Sequence, residues 1–227
     1  MDEVTRIRLG WCNAYLIRGG GGAILVDAGT KGCAGRLRAL LASAGAAIAD
    51  IGLIVVTHCH YDHVGGLAAI REASGAPVLV YEGEARYLIG GHMPLPPGTG
   101  RFWHAVVSTA VALFPRSGGY PPVEPDILVG EAYDLAAYGV NGRVLHTPGH
   151  TAGSVSVVLG EQAVVGDMMY NVSRRTVFPP FAEDPSAVVE SWEQLLRAGC
   201  RVFHPGHGRP VQAERLRACL EARRGRG

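Results

Sequence analysis

The chain contains no C-x-x-C pair, no excess of charge of either sign and no stretch approaching about 18 uninterrupted apolar residues. Its five cysteines, Cys12, Cys33, Cys59, Cys200 and Cys219, are odd in number and scattered, which argues against a disulfide framework and for a reducing compartment. With 21 basic and 20 acidic side chains the formal net charge is +1, so no global attraction to nucleic acid or to an anionic membrane is expected. The opening residues Met1 to Arg6 lack the basic start and apolar stretch of a signal peptide. Charged residues make up only 18% against 48% hydrophobic ones, a balance incompatible with a mostly disordered chain. The 32 glycines sit at turns and follow no low-complexity period. A soluble, cytoplasmic, globular protein is the expectation, and its 227 residues suffice to bury a substantial core.

What is present alternates between strand and helix patterns. Short β-rich runs at Val4–Leu9, Asn13–Ile17 and Ala23–Val26 are followed by helical spacing over Lys31–Ala44. The run Ile51 to Val56 is almost wholly apolar and rich in β-branched residues, as befits a strand buried on both faces of a layered α/β domain. Val78–Tyr81 resumes strand character. Residues 83 to 125 break this rhythm with a helical stretch, a Pro/Gly-rich loop from Gly90 to Gly100 and an apolar stretch from Phe102 to Phe114. They read as an insertion or cap within one domain spanning 1–227. Strand patterns return at Ile127–Val129, Arg143–His146, Val155–Leu159 and Ala163–Val165. Asp184-Pro185 places an N-cap before a proline at the first helical position and starts a helix through Arg197. A last helix is expected over Ala213–Arg224, and the Arg-rich tail from Arg223 reads as disordered.

The nine histidines are not scattered. His58, His60 and His63 fall within six residues, with Asp62 among them, directly after the apolar strand. Alternate residues His58 and His60 can share one side while Cys59 faces away; Asp62 and His63 begin the next helix and can serve a second point nearby. Imidazole and carboxylate suit zinc, manganese or iron. His150, Asp167 and His207 each follow or end another strand pattern, where layered α/β proteins collect their ligands. Each alone reads as structural, but together they complete two coordination sets.

The string His58-Cys59-His60-Tyr61-Asp62-His63, with His150, Asp167 and His207 in order, resembles the metallo-β-lactamase superfamily. The likeness extends to Leu25-Val26-Asp27-Ala28-Gly29, Thr147 to Ser154 and Gly166-Asp167. It implies an αββα sandwich of two mixed β-sheets flanked by helices, with a dinuclear site at one edge. His58, His60 and His150 would bind one metal, and Asp62, His63 and His207 the other. Asp167 would bridge them, and Asp27 would support the ligand loop. Two divalent ions are implied, zinc first, with manganese or iron as substitutes. Two cations about 3.5–4 Å apart can share a water and lower its pKa towards roughly 7, which yields a bridging hydroxide at neutral pH. Asp62 is then the candidate to pass a proton to the leaving group.

The resemblance also narrows the chemistry. True β-lactamases of this fold lack a bridging carboxylate, so Asp167 points towards glyoxalase-II-like thioesterases and lactonases. Only a short stretch follows His207, so glyoxalase II proper, which carries an additional helical domain that grips glutathione, is not the expectation. Tyr170 lies at the offset from Asp167 where lactonases place a tyrosine near the substrate carbonyl, and it reads as an oxyanion donor or as packing. Phe102–Phe114 either lines an apolar pocket over the metals or forms a buried or dimer-forming helix. Arg174 and Arg175 meet a substrate carboxylate or are solvated. His92, His104, His146 and His204 read as packing or support. The expected function is hydrolysis of a small-molecule ester, lactone or thioester, without nucleic acid or membrane and with a homodimer open. An iron-dependent, persulfide-dioxygenase-like enzyme and a low-turnover binding effector are the alternatives.

Overall fold

Alternating apolar residues open the chain as antiparallel strands, β1 (Glu3–Leu9), β2 (Cys12–Arg18) and β3 (Ala23–Val26), in the computed structural model, which describes residues 2–113 and 118–224. Helix α1 (Ala34–Ser43) returns the chain to β4 (Ile51–Val55), parallel to β3. The helices α2 (Tyr61–Val64) and α3 (Leu67–Ser74) precede β5 (Val78–Tyr81). After α4 (Ala85–Gly90) and α5 (Arg101–Leu113), β6 (Ile127–Val129) completes a six-stranded mixed sheet in sequential order. The second sheet begins with β7 (Ala132–Asp134), β8 (Arg143–His146), β9 (Val155–Leu159) and β10 (Gln162–Asn171). Helix α6 (Pro185–Arg197) crosses to β11 (Val202–Gly208), parallel to β10, and β12 (Val211–Gln212) leads into α7 (Ala213–Arg224). This sheet too is six-stranded and in sequential order, from β12 back through β11 and β10 to β7.

Three apolar layers hold the architecture together, and they confirm the expected αββα class. Alternation sorts the strands: Ala14 and Leu16 of β2 face α1 and α3, while Tyr15 and Ile17 face the opposite sheet. Leu53 and Val55 of β4 meet Val144, Val155 and Val157 in that middle layer. The strand therefore carries no polar face, which is why its sequence reads as a continuous apolar run. On the outer side of the second sheet, α6 buries Val188, Ser191, Trp192 and Leu195, one helical stripe against Phe203 and Met168. No described helix is long and apolar enough to cross a membrane.

Several elements differ from the sequence expectation. Strand β10 runs through Gly166 and Asp167 to Asn171, so Asp167 lies inside a strand and not at its end. Register shifts flank Gly166, and this irregularity turns the Asp167 carboxylate out of the ladder. His204 and His207 likewise lie within β11. The short strands β7 and β12 were not expected; two or three residues give too little alternation to detect. Within the expected apolar stretch, α5 leaves Phe102 71% and Trp103 41% exposed, so it is not a buried helix; Phe114 lies outside the described residues. Arg223 belongs to α7 and not to a disordered tail: its guanidinium lies 3.5 Å over the Phe178 ring. Residues 225–227 of that tail lie outside the described residues.

Helix α6 begins as its sequence predicts. The Asp184 carboxylate accepts from Ser186 N at 2.8 Å and Ala187 N at 3.1 Å, and Pro185 follows at the first helical position. Replacing Asp184 by Ala is expected to lower unfolding stability by about 1 kcal/mol in urea titration, leaving the m-value unchanged.

Candidate metal centre

The site forms where the two sheets meet at one edge, from loops and strand segments that the middle layer brings into line. Val155 N donates to Thr57 O at 2.9 Å, joining the end of β4 to the start of β9. The loop after β4 carries His58 and His60; α2 carries Asp62 and His63. The loop after β8 carries His150, β10 carries Asp167 and β11 carries His207. All seven side chains are buried. Ligand-capable atoms of His58, His60 and His150 lie within 4.8 Å of one another, as do those of His58, His63 and Asp167 and those of Asp62, His63 and His207.

Each imidazole is held by its far nitrogen, which leaves the near one aimed inward. His207 Nδ1 donates to Trp11 O at 2.8 Å, His150 Nδ1 to Phe181 O at 2.9 Å, and His63 Nδ1 to Asp27 Oδ2 at 2.7 Å. His60 Nε2 donates to Pro94 O at 3.3 Å. The Thr57 hydroxyl gives its one hydrogen to Asp27 Oδ2 at 2.8 Å and so accepts from His58 Nδ1 at 3.1 Å. Five near nitrogens therefore converge. His60 Nδ1 and His150 Nε2 face each other at 3.0 Å although both far nitrogens are committed as donors. Two lone pairs so placed repel unless a cation lies between them. His58 Nε2, His63 Nε2, His207 Nε2 and Asp167 Oδ1 are buried without a hydrogen-bond partner. This donor set fits divalent metal.

Asp167 touches both sets. Its Oδ1 lies 3.2 Å from His63 Nε2; its Oδ2 lies 3.4 Å from His207 Nε2 and 3.7 Å from His150 Nε2. Asp62 Oδ2 lies 3.2 Å from His207 Nε2. The two sets differ in protonation. Burial and neighbouring imidazoles keep His58 well below the usual histidine range, and burial with His150 beside it takes His60 to about 3. Burial also opposes protonation of His207, but Asp167 and Asp62 outweigh it and raise that group to about 10. His63 is raised for the same reason by Asp167, Asp27 and Asp62. The first set presents bare nitrogens, whereas a cation entering the second displaces protons.

Tyr170 lies against the same carboxylate. Its hydroxyl donates to Asp167 Oδ2 at 2.5 Å, and its ring stacks on His207 with centroids 4.6 Å apart. Cys59 faces away, its thiol directed to Glu84 O at 3.7 Å, and burial holds it far above the ordinary thiol range. Arg174 and Arg175 are exposed. His146 stacks on Tyr81 at 4.2 Å and His204 bonds Gln162 at 2.9 Å, both away from the centre.

Sequence reading missed four contributors. Trp11 acts through its backbone carbonyl, which no side-chain pattern reveals. Thr57 fixes the His58 tautomer. Gly206 sits between the histidines of His-Pro-Gly-His: a Cβ there would collide with Asp167 Oδ1 and lie 2.6 Å from His63 Cε1. Glu84, just before α4, is buried; its carboxylate accepts from Cys59 N at 2.6 Å and from the Thr151 hydroxyl. It thereby ties the loop of His58 and His60 to the loop of His150. A lone acid ahead of a helix gives no warning of that.

The chain is similar to known proteins over most of its length. The family model of the metallo-beta-lactamase superfamily matches residues 8–207. A probable metallo-hydrolase from Methanocaldococcus jannaschii is 32% identical over 70% of this chain and 67% of its own length. An acyl-coenzyme A thioesterase from Gallus gallus is 30% identical over 90% of this chain and 75% of its own. Among solved structures, a subclass B3 metallo-beta-lactamase of Bradyrhizobium japonicum superposes with a TM-score of 0.67 at 23% identity, covering 91% of this chain and 75% of that one.

The Glu84 clamp generates a pH signature. Burial raises this carboxyl from 4.5 to about 7, against the hydrogen bonds from Thr151 and Cys59. The folded state thus holds a proton that the unfolded state releases above about 4.5, and native stability falls as pH rises between about 4.5 and 7. Glu84→Gln should remove that fall: the stability difference between wild type and variant, from urea titrations at pH 4.5 and 7.5, is expected to change by up to about 3 kcal/mol. A difference independent of pH would place the proton elsewhere.

Proposed function

The chain belongs to the metallo-beta-lactamase superfamily and is a metal-dependent hydrolase, and we propose that it cleaves a small-molecule ester, lactone or thioester at a pair of divalent cations, in the cytoplasm. The observation that carries this reading is the convergence of five imidazoles, each anchored at its far nitrogen, on two donor sets that share Asp167. His58, His60 and His150 would hold one cation; Asp62, His63 and His207 would hold the other. Zinc suits such nitrogen and oxygen donors, and manganese or iron is accepted by the same set.

When bound, the cations supply an activated water at neutral pH and draw electron density from the scissile carbonyl. The side chains of this protein do the rest. Asp167 keeps the two donor sets at a fixed spacing and balances their charge. Asp62 turns Oδ2 towards His207 and keeps its second oxygen for the proton that the leaving group needs. Tyr170 remains a phenol at neutral pH, because burial and the adjacent Asp167 push its ionisation well above the ordinary range. Once Asp167 is committed to cations, that hydroxyl is released to donate to an oxyanion forming over the site. The thioesterase relative supports an acyl substrate, since attack on a thioester carbonyl requires the same parts.

Proton release by metal-replete protein against lactones, thioesters, phosphodiesters and a β-lactam compares the bond types in one assay. A chelator-sensitive signal with lactones, esters or thioesters is expected; activity confined to phosphodiesters or the β-lactam overturns the assignment. Asp167→Asn should lower bound metal from two ions towards one and reduce turnover by at least about 100-fold, measured by elemental analysis beside the same assay. Full metal content with full activity in that variant removes Asp167 from the bridging role.

A further inference from the structure

Beside the candidate centre lies a cavity of about 480 Å³, within the range of small-molecule sites. Tyr170 forms its inner wall, and the same residue's hydroxyl reaches Asp167. Trp103 of α5, Val172 and Phe178 supply apolar sides. The aromatic surface continues into the centre: the Trp103 ring meets Phe181 at 5.3 Å, Phe181 meets Tyr170 at 6.5 Å, and the Phe181 carbonyl holds His150. Thr99, on the loop before α5, fastens this wall, with N and Oγ1 bonded to Pro180 O and Pro179 O at 2.9 and 2.7 Å.

The charge in this cavity is of one sign. Arg175 and Arg223 both line it, and no carboxylate does among the described residues. Arg223 places its guanidinium over the Phe178 ring. The Arg175 guanidinium forms no salt bridge or side-chain hydrogen bond among the described residues. Arg215 donates to Ser173 O at 2.6 Å, adding a third guanidinium to the same loop. Apolar walls alone would accept any acyl group. Guanidinium groups set into those walls select a carboxylate or phosphate, with which they form charge-assisted, two-point hydrogen bonds.

We propose that this cavity is the substrate subsite, and that it takes an apolar chain ending in an anionic group, with Arg175 as the residue that selects the charge. The substrate class becomes an anionic acyl ester or thioester. The bond cleaved rests on the function proposed above; the subsite itself does not.

Matched thioesters test it with the full-length, metal-replete protein. Hexanoyl and adipoyl N-acetylcysteamine differ only by a carboxylate on the acyl side. Hexanoyl pantetheine and hexanoyl 4′-phosphopantetheine differ only by a phosphate on the leaving side. In at least one pair the anionic member is expected to have about tenfold higher kcat/KM, and the pair that responds tells which side carries the charge. Arg175→Gln should abolish that preference, Arg175→Lys should retain most of it, and Arg175→Glu should drive the ratio below one. Equal ratios in wild type and Arg175→Gln overturn the proposal. If no thioester is hydrolysed, the thioester alternative of the proposed function falls, and calorimetric titration with hexyl phosphate and hexanol decides the subsite independently of the bond cleaved. A loss for hexyl phosphate at least tenfold greater than for hexanol in Arg175→Gln supports it; equal losses refute it.

Discussion

One buried carboxylate organises the centre without belonging to either donor set. Asp27 accepts from Thr57 N at 2.9 Å, from the Thr57 hydroxyl at 2.8 Å and from His63 Nδ1 at 2.7 Å. Through Thr57 it determines which nitrogen of His58 carries the hydrogen, and directly it does the same for His63. One imidazole of each set is therefore aimed by the same group. To reach this position Asp27 adopts φ 63°, the sole non-glycine positive φ among the described residues. Aspartate tolerates that region better than most side chains. The strain is offset by three hydrogen bonds in a site closed to water.

The neighbouring strands have to converge on that carboxylate, and the backbone shows how closely they do. Asp27 N bonds Val55 O at 2.9 Å, and Ala28 N bonds His63 O at 2.7 Å, so the ends of β3, β4 and α2 form one unit. From the second sheet, Gly206 brings β11 against Asp167 and His63 where any side chain would intrude. On the remaining side, Gly149 lies at φ 137° with Val188 of α6 packed over it. Glu183 N and Asp184 N then bond His150 O and Gly149 O at 3.1 and 3.0 Å. The N-terminus of α6 thus positions the His150 loop as well as covering the second sheet.

The segment between β5 and β6 couples to this frame at two places of opposite character. Glu84 enters the interior as a clamp between ligand loops, while α5 stays outside with an exposed apolar face. Between them, Pro94 O takes the far nitrogen of His60, and the segment from Pro97 to Thr99 pairs with Pro179 to Ala182. The wall of the cavity proposed as the subsite is thus tied to the loops that carry His60 and His150. This segment therefore touches both the cavity wall and the loops of His60 and His150.

The residues that cluster at the candidate centre were legible because their chemistry is concentrated: His58 to His63 is a short string after an apolar strand, and His150, Asp167 and His207 each mark another. The layered fold was legible too, because β4 lies within a near-continuous apolar run, Ile51 to Val56, that packs into the interior. What the sequence could not contain is the set of long-range commitments that make the string a site. The pairing of His207 with Trp11, 196 positions apart, and of Glu84 with Thr151, 67 apart, has no local signature. Nor does the register shift at Gly166 that turns Asp167 between the donor sets. By itself the sequence determined which groups are available and on which layers they lie, since periodicity and side-chain chemistry are local properties. Only the tertiary structure decided which nitrogen of each imidazole faces inward, because that choice is made by hydrogen-bond partners brought from distant strands.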